Sequence, residues 1–111
     1  MATHKSKISR LAKNVQQDPS DTFSKFALAL ELLKDDRVEK AQLLFEAILK
    51  QDPEYLGVYY HLGKLYQRRE MFSLAEEMFT KGIALAEAKN ENRTKSELSE
   101  ALIQLQFETE E

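Results

Sequence analysis

The sequence predicts an all-α fold of about six helices, paired as helix–turn–helix repeats, and three observations predict it. Hydrophobic residues make up 42% of the 111 residues and charged residues 32%. That is enough apolar surface for one globular core and too much for a disordered chain. Glycine occurs three times and proline twice. So few turn formers disfavour a β-sandwich, which turns about every 8–12 residues, and a doubly wound α/β fold with its glycine-rich phosphate loop. Third, Asp18-Pro19 returns as Asp52-Pro53, and at the same offset of 34 residues Leu28 falls on Leu62, Ala29 on Gly63, Ala41 on Ala75 and Phe45 on Phe79. Leu44 and Leu49 fall on Met78 and Ile83 in the same way. One offset shared by a helix-start signal and six apolar or small positions marks an internal repeat.

The elements follow in order along a single domain, 1–111. The first helix, within 4–17, keeps the repeat's register: Leu11 aligns with Phe45 and Val15 with Leu49. It reads as the second helix of an incomplete preceding unit. Repeat 1, 19–51, opens on Asp18 as N-cap with Pro19 at the first helical position, where a missing N–H costs nothing. Its helices are expected at about 19–34 and 38–51. Repeat 2, 53–88, opens on Asp52 and Pro53 in the same way, with helices at about 53–69 and 73–88. Tyr59, Leu62, Leu65 and Tyr66 share one face of its first helix, while Ala75, Met78, Phe79 and Ile83 form a stripe on its second. Ser73 with Glu76 forms a capping box, and Thr94 with Glu97 caps a last helix at 93–107 that turns Leu98, Ala101, Leu102 and Leu105 inward. Its polar outer face suits a terminal helix of a repeat stack. Residues 1–4 and 108–111 are expected to fray.

These residues resemble the tetratricopeptide repeat family, whose pattern of 34 residues is matched by Tyr59, Leu62, Gly63, Tyr66, Phe72, Ala75 and Phe79 in the second unit. The first unit supplies Leu28, Ala29, Leu32, Val38, Ala41, Phe45 and Pro53. The match runs from about Thr22 to Ala88. Lys25 stands where a large apolar residue is usual, Asp36 and Glu70 replace the glycine of the internal turn, and Gly82 replaces an alanine. The resemblance implies a short right-handed superhelical stack whose first helices line a concave face.

Charge and chemistry narrow the function further. The net charge is −3, with +4 carried by Lys5, Lys7, Arg10 and Lys13 in an acid-free N-terminus. Glu97, Glu100, Glu108, Glu110 and Glu111 give −5 in a base-free C-terminus. No strong basic excess points to nucleic acid, and no apolar run reaches the roughly 18 residues of a membrane span. The basic N-terminus resembles a mitochondrial presequence, but a cleaved peptide need not keep the repeat's register. Without an export signal, a cytoplasmic location is expected. With no cysteine, thiolate metal sites and disulfides are excluded. His61 has no second ligand three or four residues away, so no metal is expected. Asp35-Asp36 and Glu76-Glu77 are adjacent, about 100° apart on a helix, and form no acid–base pair. No serine sits in a nucleophile elbow. Hence no catalysis and no cofactor are expected.

What remains is binding. In the resembled family the second, fifth, ninth and twelfth positions of each first helix line the groove. Here these are Phe23, Phe26, Leu30 and Leu33 in the first unit, then Gly57, Tyr60, Lys64 and Gln67 in the second. The first row is entirely apolar, and leaving it wet forgoes roughly 1.5–3 kcal/mol per side chain. The chain's own terminal helices, a partner's peptide or helix, or a second copy of the chain are the three ways to cover it. The reading is a non-catalytic interaction module in which Phe23, Phe26, Leu30, Leu33 and Tyr60 anchor a protein or peptide ligand, while Lys64 and Arg68 orient an acidic neighbour. The alternative is a self-associating module, a homodimer in which the same row, or the charge-opposed ends, joins two chains. The family's clamp for acidic chaperone tails is not implied, because Phe26 and Leu30 replace its lysine and asparagine.

Overall fold

The computed structural model describes residues 3–110. It contains α1 (His4–Gln17), α2 (Thr22–Lys34), α3 (Val38–Gln51), α4 (Leu56–Arg68), α5 (Phe72–Ala88) and α6 (Asn92–Thr109), and the described residues form no strand. The chain divides into two compact units, Met1–Pro53 and Glu54–Glu111. In the first, α2 packs against both α1 and α3; in the second, α5 packs against α4 and α6, and α6 also touches α4.

The helices are joined by two kinds of turn, and this corrects the expected helix starts. Asp18 and Asp52 do not open the helices that follow. They close the ones before, their backbone N–H groups donating to Asn14 and Ile48 carbonyls at 2.9 and 2.7 Å. Asp18 Oδ1 instead accepts from Ser20 N (3.1 Å) and Ser20 Oγ (2.6 Å), an Asx turn that bends the chain before α2. The cap of α2 is Asp21, which accepts from Ser24 N at 3.0 Å and Ser24 Oγ at 2.6 Å. The Ser24 hydroxyl, then its backbone N–H, holds the Asp21 carboxyl below the usual carboxylate range. The helix α4 starts at Leu56 with Tyr55 as N-cap, so Pro53 lies in the preceding turn.

The second kind of turn is a Schellman motif, and it recurs three times. After α2, Arg37 N donates to Leu32 O and Asp36 N to Leu33 O (2.9 and 3.0 Å). The same pair of bonds follows α4, from Met71 to Tyr66 and from Glu70 to Gln67, and follows α5, from Glu91 to Ala86 and from Asn90 to Glu87. The pivot residues Asp36, Glu70 and Asn90 have φ of 60°, 60° and 58°. The residue that closes each motif is also the N-cap of the next helix, so α5 and α6 begin at Phe72 and Asn92 with no side-chain cap. Ser73–Glu76 and Thr94–Glu97 therefore do not cap these helices: the tight backbone turn starts each one before the expected serine or threonine arrives. Since only glycine occupies the left-handed region without steric cost, Glu70→Gly is expected to stabilise the chain by about 0.5–1 kcal/mol. Urea denaturation followed by circular dichroism measures this gain.

Among the described residues expected to fray, His4, Glu108 and Thr109 are helical. Thr3 Oγ1 accepts from Ser6 N at 3.1 Å and caps α1, so His4 is already helical. At the other end Glu108 and Thr109 belong to α6, with Thr109 Oγ1 donating to Leu105 O at 2.9 Å. Met1, Ala2 and Glu111 lie outside the described residues.

Buried side chains fall on the helical faces the spacing indicates. In the first unit they are Leu11, then Ser24, Leu28, Ala29 and Leu32, then Ala41, Phe45 and Ile48. In the second, Tyr59, Leu62, Leu65 and Tyr66 of α4 are buried, as are Ala75, Met78 and Phe79 of α5. The inward face of α6 is Leu98, Ala101 and Leu105, with Leu102 only half-buried. Two glycines set the helix separations. A Cβ at Gly63 would stand 2.4 Å from the Phe79 ring, and one at Gly82 would stand 2.8 Å from Tyr59 Cβ and 2.9 Å from Leu98 Cδ1. Lys25 is accommodated by polar contacts: its Nζ donates to Gln51 Oε1 (3.0 Å), and Gln51 donates on to Ser20 O (2.9 Å).

Candidate functional site

The predicted apolar row runs along α2. At about 100° per residue, Phe23, Phe26, Leu30 and Leu33 lie on the side of α2 away from buried Ser24, Leu28 and Leu32, with Phe26 and Leu33 bordering buried Ala29. Their exposure is uneven. Phe23 is 71% exposed, whereas Phe26, Leu30 and Leu33 are half-buried. The Phe26 ring lies tilted on Phe45 of α3, with centroids 5.9 Å apart. The N-terminal helix takes a different flank of α2: His4 Nδ1 is 2.7 Å from Glu31 Oε2, and its Nε2 is 2.6 Å from Asp35 Oδ1. Lys34 foremost, and His4 after it, hold the Glu31 carboxyl below its ordinary value against an opposing desolvation.

The second set of residues lies on α4. Tyr60 lines a cleft with Glu97, Glu100, Ala101 and Gln104 of α6. Farther along, Lys64, Gln67 and Arg68 line a second cleft with Glu70, Phe72 and Glu108. Gln67 Nε2 donates to Glu108 Oε2 at 2.5 Å, which brings a carboxylate of α6 to the cleft that Lys64 and Arg68 share. Sequence spacing did not reveal this, since 41 residues separate the two partners. The only trace in the sequence was the acidic run to which Glu108 belongs. Gln67 Oε1 is buried there with no hydrogen-bond partner.

His61 is half-buried, with the Tyr60 ring set edge-on at 5.5 Å. Burial pushes its imidazole pKa down from 6.5, so the folded chain favours the neutral ring. The stability gained from a neutral His61 is complete above pH 6.5 and lost as the pH falls through the lower folded value. Thermal melts should therefore fall in midpoint between pH 7.5 and 5.5, and His61→Gln should lose that part of the slope. An identical slope in the variant refutes this assignment. Among the described residues no group of three histidine, cysteine or acidic side chains is placed to hold a metal ion, and no helix is long and apolar enough to cross a membrane.

Neither a family model nor a curated protein sequence matches the chain. Solved structures do. The chain is similar to a tetratricopeptide repeat domain protein from Salinibacter ruber in its solution NMR structure, with 41% identity over 79% of this chain and 89% of that one, at a TM-score of 0.74. A crystal structure of a tetratricopeptide repeat domain protein from the same organism matches with 40% identity over 78% of this chain and 97% of that one, also at 0.74. The TPR2B domain in a complex with pHsp70, from yeast Sti1, shares the fold at 14% identity, covering 88% of this chain and 84% of that one at a TM-score of 0.70.

Proposed function

Because the chain belongs to the tetratricopeptide repeat family, we propose that it is a non-catalytic interaction module that binds a peptide or helix of a partner protein. The observation that carries this reading is the apolar row of α2. Phe23 presents 71% of its surface at the head of a stripe continued by half-buried Phe26, Leu30 and Leu33. An amphipathic helix or extended segment laid along it would gain roughly 25 cal/mol for each Å² of apolar surface covered. Within the second unit, Tyr60 of α4 lines one cleft and Lys64 and Arg68 supply positive charge to another, where they would orient an acidic group. The fold itself supports a protein ligand, since the TPR2B domain of yeast Sti1 is seen in a complex with pHsp70.

A peptide library displayed on phage and selected on the wild-type chain tests the reading. Enriched peptides, synthesised and titrated by fluorescence anisotropy, should bind Phe23→Asp at least about tenfold more weakly. Phe23 is exposed, so its melting temperature should stay unchanged. Lys64→Glu should weaken acidic peptides selectively. Failure to enrich any peptide, or equal binding by Phe23→Asp, would refute the proposal.

A further inference from the structure

We propose that copies of this chain associate head to tail, with α1 of one copy docking antiparallel on the outer flank of α6 of the next. The surface on α6 is apolar and already shaped. Phe107 and Ile103, one turn apart, are 74% and 52% exposed, and with Gln106 and Glu110 they line a shallow depression. They project from the side of α6 opposite Leu98, Ala101 and Leu105, which pack inside the unit.

Charge selects a second copy as the occupant. Every base of α1 (Lys5, Lys7, Arg10 and Lys13) is exposed, and the helix contains no acid. From Ser96 onward the chain carries acids and no base, with exposed Glu110 lining the same depression as Phe107 and Glu100 exposed two turns earlier. Each helix also carries the wrong charge for its own dipole. Lys5 and Lys7 sit in the first turns of α1, where the backbone is already positive, and the last turn of α6 carries Glu108 with no base. Antiparallel docking sets the basic start of one helix against the acidic end of the other and relieves both repulsions at once. The repeat register fits as well: Leu11 and Val15 of α1 align with Phe45 and Leu49 of α3, so α1 has the pattern of a second helix, the kind that follows a first helix in a hairpin. The contact is heterologous, joining different surfaces of two copies, and so builds chains or rings rather than a closed twofold dimer.

Sedimentation velocity on the full chain tests this from about 10 µM to about 1 mM. The weight-average mass should rise past that of a dimer with concentration and fall when salt is raised from about 20 to about 500 mM. Phe107→Asp alters an exposed side chain and should keep the wild-type melting temperature, while the double variant Lys5→Glu/Lys7→Glu puts acids at the positive end of α1 and should melt no lower than wild type. Each alone should be monomeric, because each has lost one of the two surfaces. Mixed, they should form a capped 1:1 pair, since the first keeps α1 intact and the second keeps α6 intact. A monomer at every concentration overturns the proposal. So does association that survives Phe107→Asp, association abolished by Phe23→Asp, or a mixture that stays monomeric. Peptide capture through Phe23 is read separately by anisotropy, so either idea can fail without the other.

Discussion

Phe79→Ala should cost the chain about 3–5 kcal/mol, which rivals the entire stability of a small domain. Its ring is fully buried in α5 and lies against Gly63 of α4, where no Cβ intervenes. Truncation removes the ring's transfer energy and leaves a cavity that two rigid helices cannot close. The pairing with Gly63 supplies an internal control. Gly63→Ala alone should destabilise, because the new methyl would stand 2.4, 2.7 and 2.9 Å from three ring atoms. In the Phe79→Ala background the same methyl projects into vacated space and should be neutral or stabilising, helped by the better helix propensity of alanine. Urea melts of the four proteins give the coupling energy. Strict additivity would show that the ring and the glycine do not determine each other.

The second large effect runs against the family resemblance. Alanine is the usual residue where this chain has Gly82, and alanine favours helix by about 1 kcal/mol. Even so, Gly82→Ala should destabilise by about 1–2 kcal/mol, because overpacking of a tight contact exceeds that gain. The added Cβ meets Tyr59 Cβ at 2.8 Å and Leu98 Cδ1 at 2.9 Å, from α4 on one side and α6 on the other. Tyr59 Cβ is attached directly to the backbone and cannot swing away. Leu98 can be shortened, so Leu98→Val should recover part of the loss in the Gly82→Ala background. A variant more stable than wild type would mean that the helices separate at little cost.

Some of the candidate binding surface is legible in the sequence and some is not. The spacing of Phe23, Phe26, Leu30 and Leu33 places them on one face because helical geometry is local. It does not tell Phe23, which is open, from Phe26, which leans on Phe45 nineteen positions later in the sequence. Likewise Lys64 and Arg68 were recognisable as a basic edge, but the approach of Glu108 to Gln67 depends on how α6 packs against α4 and α5. Helix starts were misplaced for a related reason. Asp-Pro is a strong local signal, yet Asp18 and Asp52 are taken up in finishing α1 and α3, and the backbone turns leave Ser73 and Thr94 inside helices already begun.

By itself the sequence determined the helical class, the offset of 34 residues, the family, and the faces bearing Leu28, Leu62, Phe45 and Phe79. Each of these depends on periodicity and residue type, which any stretch of chain carries within itself. Tertiary structure alone decided at which glycines a Cβ would be crowded, which ring of the α2 row stays exposed, and which acid stands beside Gln67. These depend on distances between side chains far apart in sequence, and such distances are fixed only when whole helices pack.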